Sequence, residues 1–399
     1  MKIIEWLLEA KANFQLPARA KAEYRLDRVG LPEYDPGIEK VIEEGIKWIC
    51  FAQDNSLSKD GGVARHFSLI DGWGSSYPET TGYIVPTLLA YANMKDDDAI
   101  RQRAKRMLDW LVAIQFPGGG FTGGRIDVEP NNPVIFNTGQ ILLGLAAGTR
   151  EFEVYREAMC KAADWLVEAQ DTDGCWRKYA TSFAAPGEKV YETHVAWGLF
   201  EAACLEPDKP YADAAMSNVR WALTCQHENG WFEKCCLENP GQPLTHTIGY
   251  VLRGLVEAYR FTQKPELLNA CKKTADGLLE VIDANGCLPG RLDFDWKGTV
   301  PWVCLTGSVQ IAHCWLMLYR CTGKTKYKDA AFLANQYVRR TMKINGLPET
   351  RGAIKGSFPV NGGYLTYQFP NWACKFFIDS HLLELSIRED DDTCPSHSL

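Results

Sequence analysis

The stretch Trp165-Leu166-Val167-Glu168-Ala169-Gln170-Asp171-Thr172-Asp173-Gly174-Cys175-Trp176 decides the fold. A helical apolar face runs through its first half, and Asp-Gly then stops the helix and reverses the chain. Its Trp and Gln stand five residues apart, and the pair recurs as Trp48/Gln53, Trp110/Gln115 and Trp221/Gln226. Successive tryptophans are separated by 62, 55 and 56 residues, and the register continues more weakly through Gly277 and Gln336. A period of roughly 55–60 residues means one supersecondary unit copied about six times.

Each unit holds two helical patterns. The first ends in the Trp/Gln segment. In the second unit it spans Asp98 to Gln115, with Ile100, Ala104, Met107, Leu108, Leu111 and Val112 at helical spacing. A glycine-rich or asparagine-rich turn follows, as in Gly118-Gly119-Gly120, Asp173-Gly174, Asn229-Gly230 and Asn285-Gly286. The second pattern is apolar nearly all round, as in Gly139-Gln140-Ile141-Leu142-Leu143-Gly144-Leu145-Ala146, which suits a helix buried on all sides. Five of the six second helices start with a threonine in register, whose hydroxyl can accept from free N–H groups of the first turn. Six such hairpins predict an all-α (α/α)6 toroid, with buried helices as the inner wall. Pro86 falls inside the first inner helix and predicts a kink there. Residues 1–36 read as an N-terminal helix and linker, 37–387 as the toroid, and 388–399, with Asp390-Asp391-Asp392, as a disordered tail.

The composition excludes several classes. Of 399 residues, 23% are charged and the net charge is −7, which argues against nucleic acid. No run of 18 uncharged apolar residues is present, so no membrane span is expected. The start, Met1-Lys2-Ile3-Ile4-Glu5-Trp6-Leu7-Leu8-Glu9, has acidic residues where a signal peptide needs an apolar stretch, so the expected location is cytoplasmic. The fourteen cysteines are scattered without paired Cys-x-x-Cys motifs, which predicts buried free thiols, no metal and no cofactor.

Gln170-Asp171-x-Asp173-Gly174-x-Trp176 resembles the Gln-Trp repeat of squalene cyclases. The whole pattern is similar to the alpha-alpha toroid superfamilies: six-hairpin glycosidases, polysaccharide lyases, sugar epimerases, terpenoid cyclases and protein prenyltransferases. Three further stretches resemble uncharacterised toroid proteins associated with bacterial and archaeal exopolysaccharide gene clusters. They are Ser76-Tyr77-Pro78-Glu79-Thr80-Thr81-Gly82-Tyr83, Leu244-Thr245-His246-Thr247 and Phe369-Pro370-Asn371-Trp372-Ala373-x-Lys375-Phe376-Phe377. The resemblance implies a toroid fold. It implies a role in polysaccharide biosynthesis or processing, alongside polysaccharide-assembly proteins, less directly, since this fold hosts unrelated chemistries.

Aligned on the threonines, the inner helices present Thr80, Asn137, Glu192, His246, Leu305 and Asn371 at one rim, with Glu79 one position before Thr80. Their N-termini also aim free N–H groups there. Glu79 and Glu192 are the carboxylate pair that glycoside hydrolysis needs across the scissile bond. His246 is the third catalytic candidate, as general acid or base. A lyase or epimerase needs a base for the C5 proton and a cationic or amide group for the uronate carboxylate. Candidates for contacts with the sugar are Tyr77, Asn137, Tyr191, His194, Arg291, Trp302, Tyr364 and Asn371, with Arg125, Arg177 and Lys355 in neighbouring loops. The expected function is a carbohydrate-active enzyme, hydrolase or lyase/epimerase, acting on an acidic oligo- or polysaccharide. Two alternatives stand beside it: an isoprenoid-handling cyclase or prenyltransferase with a dry aromatic cavity, and a non-catalytic glycan-binding toroid. The catalytic expectation requires Glu79, Glu192 and His246 to line one cleft.

Overall fold

The computed structural model describes residues 15–129 and 131–393. Helix α1 (Ala18–Arg28) precedes six helical hairpins. The first helices of the hairpins are α2 (Ile38–Asp54), α4 (Asp98–Ile114), α6 (Arg156–Ala169), α8 (Tyr211–Leu223), α10 (Pro265–Leu279) and α12 (Thr325–Arg339). The second are α3 (Pro78–Lys95), α5 (Ile135–Glu151), α7 (Thr193–Ala203), α9 (Thr245–Thr262), α11 (Leu305–Thr322) and α13 (Asn371–Thr393). Each second helix packs on the next, and α13 returns to α3 and α2, so the ring closes. The predicted (α/α)6 toroid is the observed fold.

The physics of the two layers follows the sequence. Outer helix α4 buries Ala104, Met107, Leu108 and Leu111 while Arg101 and Lys105 pair with acids on its open side. Inner helix α5 is buried from Ile135 through Ala146 without a polar stripe. Such helices meet along glycines that let backbones touch. A methyl group at Gly144 of α5 would lie 2.2 Å from the Gly82 carbonyl oxygen of α3, and one at Gly198 of α7 would lie 2.6 Å from that of Gly139.

The Trp/Gln repeat is the stitching between hairpins. Gln170 Nε2 donates to the Gly174 carbonyl of its own turn and to Ala214 of the next outer helix, both at 3.0 Å. Gln115 does the same with Gly119 and Ala158, at 2.9 Å each. The turn glycine completes the contact. Gly174 has a φ of +90° and presses on the next outer helix, where a Cβ would meet Ser217 O at 2.3 Å. In the last unit Gly352 presses likewise on Glu44 of α2, closing the ring. Gln170→Leu is therefore expected to lose about 1–3 kcal/mol of stability, about 0.5–1.5 kcal/mol for each of the two hydrogen bonds removed, while the Gly174 carbonyl keeps its donor Asn218 Nδ2. Urea unfolding checks this, and activity per folded molecule should stay unchanged.

Three details differ from the sequence reading. The register threonines do not cap their own helices. Thr81 and Thr138 instead accept from Val63 N and Phe121 N of their own hairpin loops, at 3.0 and 2.9 Å. Helix α13 continues to Thr393, past the boundary set for a disordered tail at 388, because Arg320 and Lys328 pair with Asp390 and Asp391. Residues 394–399 and 1–14 lie outside the described residues. Short strands, unforeseen in the sequence, also bind the loops. The strands β1 (His66–Ser68), β2 (Gly72–Trp73) and β5 (Gln368–Pro370) form one antiparallel sheet, with Phe67 opposite Phe369. The strands β3 (Val303–Cys304) and β4 (Ser357–Phe358) form a second. The first sheet ties the loop after α2 to the segment entering α13.

Candidate active site

A cavity of about 300 Å³ opens at the rim where inner helices begin. Glu79 is the second residue of α3, Asn137 the third of α5 and His246 the second of α9, so all three sit in first turns. All three line the cavity, with Tyr77, Tyr191, Arg291 and Tyr364. Asn137 Nδ2 donates to Glu79 Oε2 at 3.1 Å, and Tyr77 also donates to the Glu79 carboxyl. Burial pushes that carboxyl up to about 7, against the opposing pull of the Tyr77 hydrogen bond and the Arg65 charge. Glu79 is thus divided between acid and base near neutral pH.

His246 is the complementary group. Its Nδ1 lies 2.6 Å from Gln310 Oε1, which places the ring proton on Nδ1 and leaves the Nε2 lone pair available. Burial pushes it down to about 4, so it is neutral at pH 7. Its ring stands between Tyr250 and Tyr364, with centroids at 4.5 and 5.5 Å. Phe136 and Trp372 extend the aromatic wall.

The remaining candidates are placed elsewhere. Glu192 does not line the cavity. The 3-10 turn Val190–Glu192 gives the wall position to Tyr191, and Glu192 is buried beside Lys189 and Cys175. The Glu79/Glu192 pair is therefore not assembled in one cleft, and the requirement set from sequence is not met by that pair. His194 lies outside the lining, fully buried, with Nδ1 2.6 Å from Gln140 Oε1. Asn371 is spent on the ring closure, donating to Ala64 O at 2.9 Å. Trp302 packs over Gly290 and Gly363 rather than on the cavity. Lys355 is buried between Glu23 and Asp27 of α1, and Arg177 is held by Asp171, Asp173 and Glu188. Arg125 faces Asp127.

Two of the lining residues that the sequence reading did not single out matter most to the site. Tyr250 is one turn beyond His246 on α9, a spacing that could have revealed it. Arg65 is the other. It lies in the loop before β1, where its N–H donates to Ser75 O and its carbonyl accepts from Asn371 N. Only the sheet between the first and last hairpins brings it to the rim.

The sequence profile of the squalene-hopene cyclase C-terminal domain matches residues 48–256, more than half of the chain. No curated protein matches it in sequence. Among solved structures, an unsaturated glucuronyl hydrolase specific for heparin superposes with a TM-score of 0.70 at 16% identity, over 88% of this chain and 98% of that one. D-mannose isomerase gives 0.69 at 14% identity, over 90% and 100%. Cellobiose 2-epimerase from Bacillus thermoamylovorans gives 0.67 at 11%, over 88% and 98%. At such identities the likeness is one of fold: an alpha-alpha toroid.

Proposed function

This chain belongs to the squalene-hopene cyclase C-terminal domain family, and on that toroid we propose a carbohydrate-active enzyme that moves protons on a small acidic saccharide. The observation that carries this reading is the pairing, in one aromatic-walled cavity, of Glu79 held at about 7 with a neutral His246. A general acid–base group works best with a pKa near the operating pH. The Glu79 carboxylate takes the proton from a carbon next to a carbonyl or carboxylate and, as the acid, returns it to that carbon or, in an elimination, to the sugar oxygen that leaves the neighbouring carbon. His246 Nε2 accepts a hydrogen bond from a sugar hydroxyl. The tyrosines offer faces to the sugar ring and hydroxyls to its oxygens. A volume of about 300 Å³ is at the lower end of small-molecule sites, about 300–1,000 Å³, which suits a short saccharide better than a polymer.

Two-carboxylate hydrolysis is less well supported. The other carboxylate at the cavity, Glu238, is 75% exposed at the mouth and faces Arg291 at 3.7 Å. The test is incubation with uronate-containing di- and oligosaccharides in D2O. Deuterium incorporated into the sugar, or absorbance at the unsaturated-uronate band, is the expected result. New reducing ends with neither signal would point to hydrolysis and overturn the proton-transfer reading.

The aromatic wall also favours an isoprenoid ligand, as does the family. A hydrocarbon would leave the His246 Nε2 lone pair and the Nε and Nη2 N–H groups of Arg65 without polar partners, at a cost of about 1–3 kcal/mol for each group left unpaired in a buried site. Conversion of squalene or a prenyl diphosphate, with no effect on saccharides, would decide for that alternative.

A further inference from the structure

We propose that Arg65 reads the carboxylate of the sugar and that its occupation hands a proton to Glu79, an inference that rests on the sugar-site reading above. The Arg65 guanidinium lines the cavity over a neighbouring pair of aromatic rings, 5.6 Å from the Tyr77 ring centre and 5.1 Å from that of Trp372. Among the described residues, no carboxylate lies within ion-pair distance of it. Its side-chain partners are neutral acceptors: His66 Nδ1 at 3.0 Å and Gln368 Oε1 at 3.4 Å. His66 is pushed down to about 4, chiefly by burial and next by Arg65 itself, and so carries no charge at pH 7. A half-buried guanidinium without a counter-charge, at the wall of a cavity, is a site for an anion.

The charge balance selects the anion. Arg291, the other lining cation, is engaged by the Gln242 carbonyl at 2.8 Å and faces Glu238. One free positive charge beside the Glu79 carboxyl matches a singly charged carboxylate better than a dianionic phosphate. His66 and Gln368 both engage Nη1, which leaves the fork of Nε and Nη2 N–H groups for the flat carboxylate of a uronate.

The same geometry couples binding to protonation. Arg65 is the charged group that favours the ionised form of Glu79. The other titratable groups around Glu79 are Tyr77, Tyr83, Tyr191, Tyr250 and Tyr364, pushed up by burial, and His246, pushed down by it. All are neutral at pH 7. A bound carboxylate offsets the Arg65 charge at Glu79, which raises the affinity of Glu79 for a proton. The proton comes from solvent; the acid form of Glu79 gains population in the filled site, and the carboxylate fraction that remains is the base that turnover draws on.

Calorimetric titration of the full chain at pH 7, in two buffers of different ionisation enthalpy, tests both halves. D-glucuronate should bind more tightly than D-glucose or glucose 6-phosphate, with net uptake of up to about half a proton, since a group near pKa 7 is half-protonated there. Arg65→Met should weaken glucuronate by about 10–100-fold while leaving glucose unchanged. Arg65→Lys, which keeps the charge without the fork, should fall between. Glu79→Gln should retain glucuronate binding and lose the proton uptake. Equal affinity of wild type and R65M for glucuronate, tighter binding of the phosphate, or unchanged uptake in E79Q each overturns the proposal. Glucuronate binding with these signatures, but no turnover of any saccharide, would sink the enzymatic reading alone. Turnover of a uronate with R65M binding intact would sink this inference alone.

Discussion

Glu79→Gln is expected to reduce turnover by about 10²–10⁴-fold, the usual worth of a general acid–base group, while making the protein more stable at pH 8. The stability change follows from linkage. Burial raises the carboxyl from an ordinary 4.5 to about 7 in the folded chain. A raised carboxyl pKa means the native state binds the proton more tightly than the unfolded state. Its penalty is absent below about pH 4.5, grows as pH rises, and is complete above about 7. Over that interval it amounts to roughly 3 kcal/mol. Glutamine keeps a carbonyl for the Tyr77 and Asn137 donors and never ionises. The stability difference between variant and wild type should therefore be near zero at pH 4 and reach its full value by pH 8. Urea unfolding at a series of pH values reads it directly. A flat difference, or a less stable variant at pH 8, would show that Glu79 is not held in this way.

Gly144→Ala is expected to be strongly destabilising although it replaces a poor helix former by the best one. Propensity alone would favour alanine by about 1 kcal/mol. The obstacle is backbone: the new methyl lies 2.2 Å from the Gly82 oxygen and 2.9 Å from its carbonyl carbon, in the facing helix. No side-chain rotation relieves that contact, so α3 and α5 must separate. Overpacking of this kind costs about 1–3 kcal/mol even where side chains can yield. Here the ring is closed, and the displacement must be absorbed by the neighbouring interfaces. A net loss of roughly 2 kcal/mol or more is expected, with weaker activity, since Glu79 and Asn137 ride on the two separated helices. Gly148→Ala on the same helix is the control. Its methyl meets the Leu108 Cδ1 at 2.6 Å, the end of a side chain that can rotate away. Similar unfolding midpoints for the two variants would show that backbone contact does not set the inner-wall spacing.

Much of the fold was legible because its signals are local and repeated. Trp165 and Gln170 mark a helix end, Asp173-Gly174 marks the reversal, and six copies at one period leave a closed ring as the economical arrangement. The meaning of the glutamine was less accessible. Its donation to Ala214 reaches 44 residues along the chain, and only the stacked hairpins bring the two together.

The site divided along the same line. Glu79, Asn137 and His246 were found because first-turn positions of successive inner helices share a rim, and that register is a property of the repeat. Glu192 shared the register too, yet it misses the cavity because the turn Val190–Glu192 winds as a 3-10 helix. Three residues per turn instead of 3.6 rotate the side chain off the wall, a local deviation that no period reports.

By itself, then, the sequence determined the architecture, the inner and outer layers, and the level at which chemistry-bearing residues gather. Tertiary structure alone decided which of them meet. It placed Arg65 at the rim through a sheet joining the first hairpin to the last. It also set the ionisation of Glu79 through burial. Helix period and turn chemistry act between near neighbours in the chain. Ring closure and desolvation act between residues that only the folded molecule brings together.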